Sequence, residues 1–369
     1  MRIAVDAMGG DHAPAAPVRG ALDALAADPG LTVVLVGQPR AVDPFLQGLA
    51  APVRARVRAV PASEVVGPEE APAAAFARKH DSSLAVGLAL CKRGESDAFV
   101  SAGNTGALMA GSLLTWGRIA GVARPAMPVV LPTVDARGCV LLDIGANMDA
   151  DARNLYDYGV MGNLYAQLVR GVPQPRVGLL NVGTERRKGT GVMRDAYALL
   201  ESSGLNFTGN VEGRDLFRGD CHVVVTDGFV GNIVLKAIEG VGQGVSQVMG
   251  YELRHSGLLT LLGAALAART LRGLRKRMDY AEYGGVPLLG VNGVCVKCHG
   301  SSEARAMKNG VLAAARVVGS GVIPSIAGAL AEGASGRAAA GRGTATAPTG
   351  SRSAARSTPA VPEGGSADA

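Results

Sequence analysis

The chain has 369 residues, 48% of them hydrophobic but only 4% aromatic, and a formal net charge of +6. That length can bury one large core or two lobes, built here from small aliphatics, and so few aromatics among the basic residues argue against a base-stacking surface, so no nucleic-acid partner is expected. The five cysteines, an odd number lying mostly in apolar runs, read as reduced core residues rather than disulfides.

In chain order, residues 2–6 read as a short strand, and the acid at Asp6 comes too soon for a signal peptide. Residues 14–27 carry a helical pattern, with Val18, Leu22 and Leu25 on one face. Residues 31–37 form a fully apolar strand and 56–60 an alternating one; helical segments cover 71–92, with Asp81, Ser82 and Ser83 as a break or cap. Residues 98–100 are a strand followed by a helix to about Trp116, and strands recur near 128–134, 139–144, 176–182, 222–226 and 294–297. Several are separated by helix-length segments, and this alternation predicts an α/β fold, a doubly wound and mainly parallel sheet with helices on both faces. No apolar run is long enough to span a bilayer, and a cytoplasmic protein is expected.

Two segments depart from the pattern. Within 245–283, Leu258, Leu259, Leu261 and Leu262 are followed by Arg269, Arg272, Arg275, Lys276 and Arg277. This predicts a protruding helical hairpin, either packed in a dimer interface with a solvated basic face or serving as a peripheral membrane foot with leucines in the acyl boundary. Both can hold in one hairpin. Residues 331–369 hold almost no large apolar side chain, so they are expected to be a disordered tail beyond a single 1–330 domain.

Apolar runs end in turns of Gly, Asn, Asp, Thr or His at 7–12, 101–106, 143–147, 181–190, 226–232, 291–293 and 297–302. Buried strands ending this way build a ligand crevice at the carboxyl edge of an α/β sheet, where glycine lets the backbone approach and exposed amides suit an anion. One composite site for a small phosphorylated group is therefore expected. Gly9 and Gly10 can open amides toward a ligand beside a helix N-terminus, with Asp11 as ligand group or cap. Asn104 and Thr105 can donate to phosphate or carbonyl oxygens, or cap their helix. Asp143, ending a strongly apolar strand before Asn147, orients a basic group or caps its loop, because an uncompensated carboxylate there is costly to bury. Among Arg186, Arg187 and Lys188, the lysine is the favoured anion ligand, since the amides of Gly189 and Thr190 can share its anion. Asn232 reads as a donor and Asp227 as an orienter. His299 ends the last strand before a glycine, which suits catalysis or phosphate binding as well as a structural role; Lys297 lies on the adjoining pleat.

Several common signatures are missing: G-x-G-x-x-G, Walker A, G-x-S-x-G and H-E-x-x-H. Dinucleotide binding, ATP hydrolysis, serine esterase and zinc protease readings lose weight accordingly, and no cofactor or metal is expected. Cys295-Val296-Lys297-Cys298-His299 matches the haem attachment pattern C-x-x-C-H. It is set aside because it reads as a strand running into a turn, with no export signal and no second C-x-x-C for zinc.

Taken in order, the turns resemble the acyl-carrier-protein:phosphate acyltransferase family, the PlsX type. The likeness rests on Asp-Ala-Met-Gly-Gly-Asp-His-Ala-Pro (6–14), Ser-Ala-Gly-Asn-Thr-Gly-Ala (101–107), Arg-Pro-Ala (124–126), Asp-Ile-Gly-Ala-Asn (143–147) and Asn-Val-Gly-Thr-Glu (181–185). It continues in Lys-Gly-Thr (188–190), Asn-Phe-Thr-Gly-Asn-Val-Glu-Gly (206–213), Thr-Asp-Gly-Phe-Val-Gly-Asn (226–232) and His-Gly (299–300), and spans about residues 1–325. The resemblance implies an isopropylmalate dehydrogenase/phosphotransacetylase-like fold and a homodimer peripherally associated with membrane. It also implies transfer of a fatty acyl group from acyl-carrier protein to inorganic phosphate, giving acyl phosphate for phospholipid synthesis through a downstream glycerol-3-phosphate acyltransferase. Lys188, Asn232 and His299 are then the expected catalytic residues, and Gly9, Gly10, Asp11, Asn104, Thr105, Asn147, Thr190 and Asp227 the substrate-binding ones. Leu258, Leu259, Leu261 and Leu262 would touch the membrane. Transfer from acyl-CoA, as in phosphotransacetylases, and a non-catalytic membrane-docking protein on the same fold are the alternatives.

Overall fold

The structure, a computed structural model, describes residues 1–278 and 284–331, without the side chains at 258, 261, 262, 271, 272 and 274–278. The expected disordered tail lies outside the described residues, apart from its first residue.

The parallel β-structure foreseen from the sequence is divided over two sheets. The first runs β10-β11-β4-β1-β2-β3, from β1 (Arg2–Asp6), β2 (Thr32–Gly37), β3 (Val57–Pro61), β4 (Ala98–Ser101), β10 (Val286–Pro287) and β11 (Cys295–Lys297). The second runs β5-β6-β9-β7-β8, from β5 (Val129–Leu131), β6 (Cys139–Leu142), β7 (Val177–Leu180), β8 (Phe207–Val211) and β9 (Val223–Val225). Each sheet is parallel except at one edge, where β10 and β5 pair antiparallel. The chain leaves the first sheet after β4 and rejoins it at β10. Isolated bridges from Arg118 to Val291 and from Ala126 to Leu289 stitch the outgoing segment to the returning one. Strand-helix alternation reports parallel crossovers but not which strands share a sheet, so the division was not legible in advance.

Helices cover both faces. α1 (Ala15–Ala27) and α11 (Ala304–Ser320) place Val18, Leu25, Met307 and Val311 in one core. α5 (Ser83–Lys92) and α6 (Thr105–Trp116) place Leu84, Leu88, Ala107 and Leu108 in the other. The second sheet is covered by α7 (Ala152–Leu168) and α8 (Gly191–Glu201), whose Leu155, Tyr158 and Leu200 join the first of these cores, so the two sheets share it. Short helices α2 (Pro39–Leu46), α3 (Ala51–Arg54) and α4 (Pro72–Arg78) fill connections, and α12 (Val322–Ala331) closes the described chain. The break at 81–83 is where expected: Ser82 caps α5, its hydroxyl accepting the Ala85 amide at 3.3 Å.

The hairpin protrudes, but from further back than 245. α9 (Gly228–Arg254) is one continuous helix of 27 residues followed by α10 (Leu258–Met278). Its first half packs Val234, Leu235 and Ile238 against the body, and its second half is almost wholly exposed. Exposed Val241, Val245 and Val248 recur at helical spacing on that length, continuing from exposed Ile233 in the first half. Among the described residues no single helix is long and apolar enough to cross a membrane.

In the first sheet the strand order reverses between β1 and β4. Such a switch point leaves a crevice at the carboxyl ends of the two strands, and there the turns starting at Asp6 and Ser101 meet.

Candidate active site

β1, β4, β7, β9 and β11 each feed a helix through a polar turn, which directs the N-termini of α1, α6, α8, α9 and α11 toward the carboxyl rims. Unpaired first-turn amides give those ends a partial positive charge. The sequence-predicted site residues fall into three groups around these rims.

The first group sits at the switch point. Val5 pairs with Val100, Val100 with Val296, and Ser101 with Lys297. Side chains alternate across a strand, so Asp6, Ser101 and Lys297 form a row over three adjacent strands on one face. The Ser101 hydroxyl donates to Asp6 Oδ2 at 2.7 Å, and the Met8 amide to Oδ1 at 3.0 Å. Burial pushes the Asp6 carboxyl above its usual range, while hydrogen bonds from Ser83, Ser101, Met8 and Gly9 pull it back. Gly9 is packed against the Asp6 carboxylate, where an added Cβ would come within 2.5 Å of Oδ2. Gly10 is held at φ +96°, and an added Cβ would lie 2.9 Å from both Ala102 Cβ and the Gly300 carbonyl. Only glycine fits, and its own amide has no partner among the described residues. Asp11 is exposed, with its amide donating to the Gly300 carbonyl at 2.8 Å.

His299 belongs to the same group. Its Nδ1 lies 2.8 Å from Ser301 Oγ and accepts the Ser301 backbone amide at 3.2 Å. An amide only donates, so in the neutral ring Nδ1 is the acceptor and Nε2 carries the hydrogen. His299 is thereby set as a hydrogen-bond donor through Nε2.

Asn104, expected among the phosphate donors, is committed to the fold. Its Oδ1 accepts the Ala107 amide at 3.0 Å as the cap of α6, and its Nδ2 donates to the carbonyls of Gly67, Pro68 and Glu70. Thr105 is the half-buried first residue of that helix.

The second group surrounds Asp143, which is fully buried. Its carboxylate accepts the amides of Met127 at 2.8 Å, Gly145 at 3.3 Å, Ala146 at 3.1 Å and Asn147 at 2.7 Å. Burial raises its pKa against those four hydrogen bonds. Of the two roles considered for it, this is the loop cap. Asn147 Nδ2 donates to the Tyr158 hydroxyl at 3.0 Å and to Asn154 Oδ1 at 3.3 Å. Asp227 caps α9, accepting the Val230 amide at 2.8 Å. Gly231 lies so close that a Cβ would come within 1.8 Å of the Asp143 carbonyl. Asn232, half-buried, faces Gly145, whose added Cβ would lie 3.8 Å from its Cγ.

The third group is the 181–190 loop. Asn181 Nδ2 donates to the Lys188 carbonyl and to Asn210 Oδ1, both at 3.1 Å, and Asn210 Nδ2 donates to the Glu185 carbonyl at 2.8 Å. Arg186 pairs with Glu201 at 2.6 Å and lies over Tyr197. Lys188 is half-exposed, with Nζ 3.6 Å from Glu185. Thr190 caps α8, accepting the Met193 amide at 3.4 Å. Hydrogen bonds tie residues together within each group; the described contacts do not join the three groups into one cradle. Of the four leucines assigned to membrane contact, Leu259 is 86% exposed, and the side chains of Leu258, Leu261 and Leu262 lie outside the described residues.

The sequence reading passed over Asp6 and Ser101 as working residues. Asp6 stands at a strand end before Gly-Gly, as Asp143 stands before Ile-Gly, and that shared placement was the available signal. The cysteines are all free. Burial drives the thiols of Cys91, Cys295 and Cys298 up to about 12 and those of Cys139 and Cys221 upward as well. Cys295 and Cys298 of the C-x-x-C-H run are both buried, one in each core.

Comparison with known proteins adds kinship. Residues 1–325 match the family model described as fatty acid synthesis protein. A phosphate acyltransferase from Heliobacterium modesticaldum is 50% identical over 332 residues, covering 90% of this chain and 97% of that protein. One from Myxococcus xanthus is 49% identical over 324 residues, covering 87% of this chain and 91% of that one. Among solved structures, a phosphotransacetylase from Streptococcus pyogenes aligns with TM-score 0.58 at 16% identity, covering 86% of this chain and 94% of that one. A branched-chain phosphotransacylase from Enterococcus faecalis aligns with TM-score 0.53 at 13% identity, covering 86% and 99%. Identities that low speak to fold alone.

Proposed function

The chain belongs to the fatty acid synthesis protein family, whose curated relatives are phosphate acyltransferases, and is a transferase; from that premise we propose that it moves a fatty acyl group from an acyl-carrier-protein thioester to inorganic phosphate, releasing acyl phosphate. The observation that carries the reading is the switch point of the first sheet, where Gly10 lies against Ala102 and the Gly300 carbonyl, beside the N-termini of α1 and α6 and the His299–Gly300 turn.

Phosphate near neutral pH is substantially dianionic, so it needs positioning more than deprotonation. His299, a donor by its tautomer, serves the anion or the tetrahedral oxyanion rather than acting as a base. Asn232 and Lys188 act from the second-sheet rim on the thioester carbonyl. Attack is direct: four of the five cysteines are buried, Cys91 is half-buried, and burial raises the pKa of every thiol, which disfavours a cysteine thiolate as acyl carrier. The acidic carrier docks on the net-positive body, and salt weakens that encounter.

The exposed stripe of Ile233, Val241, Val245 and Val248 supports a homodimer, because monomers rarely leave such a row in water. Exposed Leu259 and Leu266, followed by arginines, support peripheral contact of a cytoplasmic protein with anionic membrane. The acyl phosphate is then passed at that surface to a glycerol-3-phosphate acyltransferase.

The donor is tested by offering acyl-carrier protein and acyl-CoA of equal chain length, each with phosphate. Turnover with the carrier at least ~10-fold above acyl-CoA is expected, a difference of about 1.4 kcal/mol; preference for acyl-CoA would move the enzyme to the phosphotransacetylase reaction, and no acyl phosphate from either donor would leave a docking protein.

A further inference from the structure

Lys297 ends β11 with a half-buried side chain whose Nζ donates to the Ala102 carbonyl at 3.2 Å and to the Cys298 carbonyl. Those carbonyls belong to different turns, one after β4 and one after β11. In a trans peptide the C=O and the following N–H point opposite ways, so the lysine fixes the orientation of the Ala102–Gly103 and Cys298–His299 planes. The same turns pinch Gly10: Ala102 touches it from one side and the Gly300 carbonyl from the other. Lys297 therefore ties down both walls of the groove in which the Gly10 amide lies.

Charge makes the lysine more than a tether. Two carboxylates, Asp6 in the same row and Asp11 on the adjoining turn, face this rim. A phosphate dianion brought beside them meets like charge at short range, worth kilocalories per pair in a partly dehydrated site. Lys297 feels both carboxylates, which act against burial to keep its ammonium charged; Cys295 and Cys298 are the other titratable groups facing it. Lys188, by contrast, is half-exposed and loosely paired with Glu185 in another group.

We propose that Lys297 is a positioning residue of the phosphate site: its ammonium locks the two turns that flank Gly10 and offsets the Asp6 and Asp11 carboxylates that would otherwise repel the dianion. The proposal rests on the functional reading above and deepens it.

The test uses the full chain and inorganic phosphate alone, read as the phosphate-dependent rise in unfolding temperature, so that no acyl donor enters. Wild type should respond to phosphate, and Lys297→Met should bind it ~10-fold or more weakly, the scale of a lost charge-assisted contact. Lys297→Arg should keep most of the affinity. The double variant Asp6→Asn/Lys297→Met should recover much of what Lys297→Met loses, which a purely structural role for the lysine would not produce. Arg2→Met, removing a cation from the far end of β1, should bind phosphate as wild type does. In turnover, Lys297→Met should raise the KM for phosphate while leaving the KM for the acyl donor within ~2-fold. Should Lys297→Met fail to fold, Asp6→Asn alone carries the test, and it should tighten phosphate. Wild-type phosphate affinity in Lys297→Met, or no tightening in Asp6→Asn, overturns this proposal alone; a wild-type protein indifferent to phosphate overturns the functional reading and the proposal with it.

Discussion

The two sheets solve one problem in different ways. Each carries an aspartate where an apolar strand meets a glycine turn, Asp6 in the first and Asp143 in the second, and each carboxylate is buried. Asp143 is satisfied by four backbone amides, and α9 is seated directly against its carbonyl by Gly231. Asp6 is held partly by amides and partly by serine hydroxyls, with a lysine two strands away in the same row. A carboxylate closed off by main chain is a rivet. One closed off by side chains, with a cation in reach, sits in a cluster whose charges must balance one another.

The sharpest way to break this comparison is the same change at both positions. Asp143→Asn turns one accepting oxygen into a donor that faces an amide donor, and amides cannot reverse roles. It should cost ~3 kcal/mol or more in denaturant unfolding, on the scale of buried donors left unpaired. Asp6→Asn meets hydroxyls that can rotate to accept, so ~1 kcal/mol is expected there. Equal losses at the two positions would erase the distinction. Gly231→Ala belongs with Asp143: its methyl cannot fit against the Asp143 carbonyl, and destabilisation of ~3 kcal/mol or outright misfolding should follow.

At the carboxyl rims, where the proposed function places catalysis, the expected effects are on rate rather than stability. His299→Ala should lower kcat ~100-fold, the scale of one lost oxyanion donor, with little change in unfolding temperature because the ring is exposed. Lys188→Ala should cost a similar ~10²-fold if the 181–190 loop works on the substrate held at the other rim; an unchanged rate would remove that loop from the site.

The smallest effect lies at the opposite end of the second sheet. His222 is buried, and its Nδ1 accepts the Arg176 amide at 3.0 Å. Burial, with Arg176 and Arg137 nearby, holds its pKa below the usual 6.5 despite Asp135. A depressed histidine binds fewer protons folded than unfolded, so its stabilising contribution is full above the unfolded pKa and is lost as pH falls below it. Wild type should lose stability between pH 7 and 5 more steeply than His222→Gln. Parallel profiles for the two would show that His222 does not titrate in this way.

The comparison also separates what the residue order reveals from what it hides. The apolar runs, the break or cap at Ser82, and the turn-ending strands were legible because each is local. β8 was not, since Phe-Thr-Gly-Asn-Val carries a glycine and two polar residues on a strand packed at the sheet edge. Asn104 reads as ligand or cap from sequence, Asp227 as an orienter and Thr190 as part of the anion loop, and the structure uses each as a cap. The row of Asp6, Ser101 and Lys297 depends on register between strands nearly 200 residues apart, which local pattern does not contain.

The central claim is direct attack by phosphate on a bound thioester, and it is tested by mixing enzyme at substrate-level concentration with acyl-[acyl-carrier-protein], first without phosphate and then with it. The account predicts no free carrier until phosphate is added, and then acyl phosphate and free carrier in equal amounts. A burst of free carrier matching the enzyme concentration, before any phosphate is present, would mean the protein itself takes the acyl group.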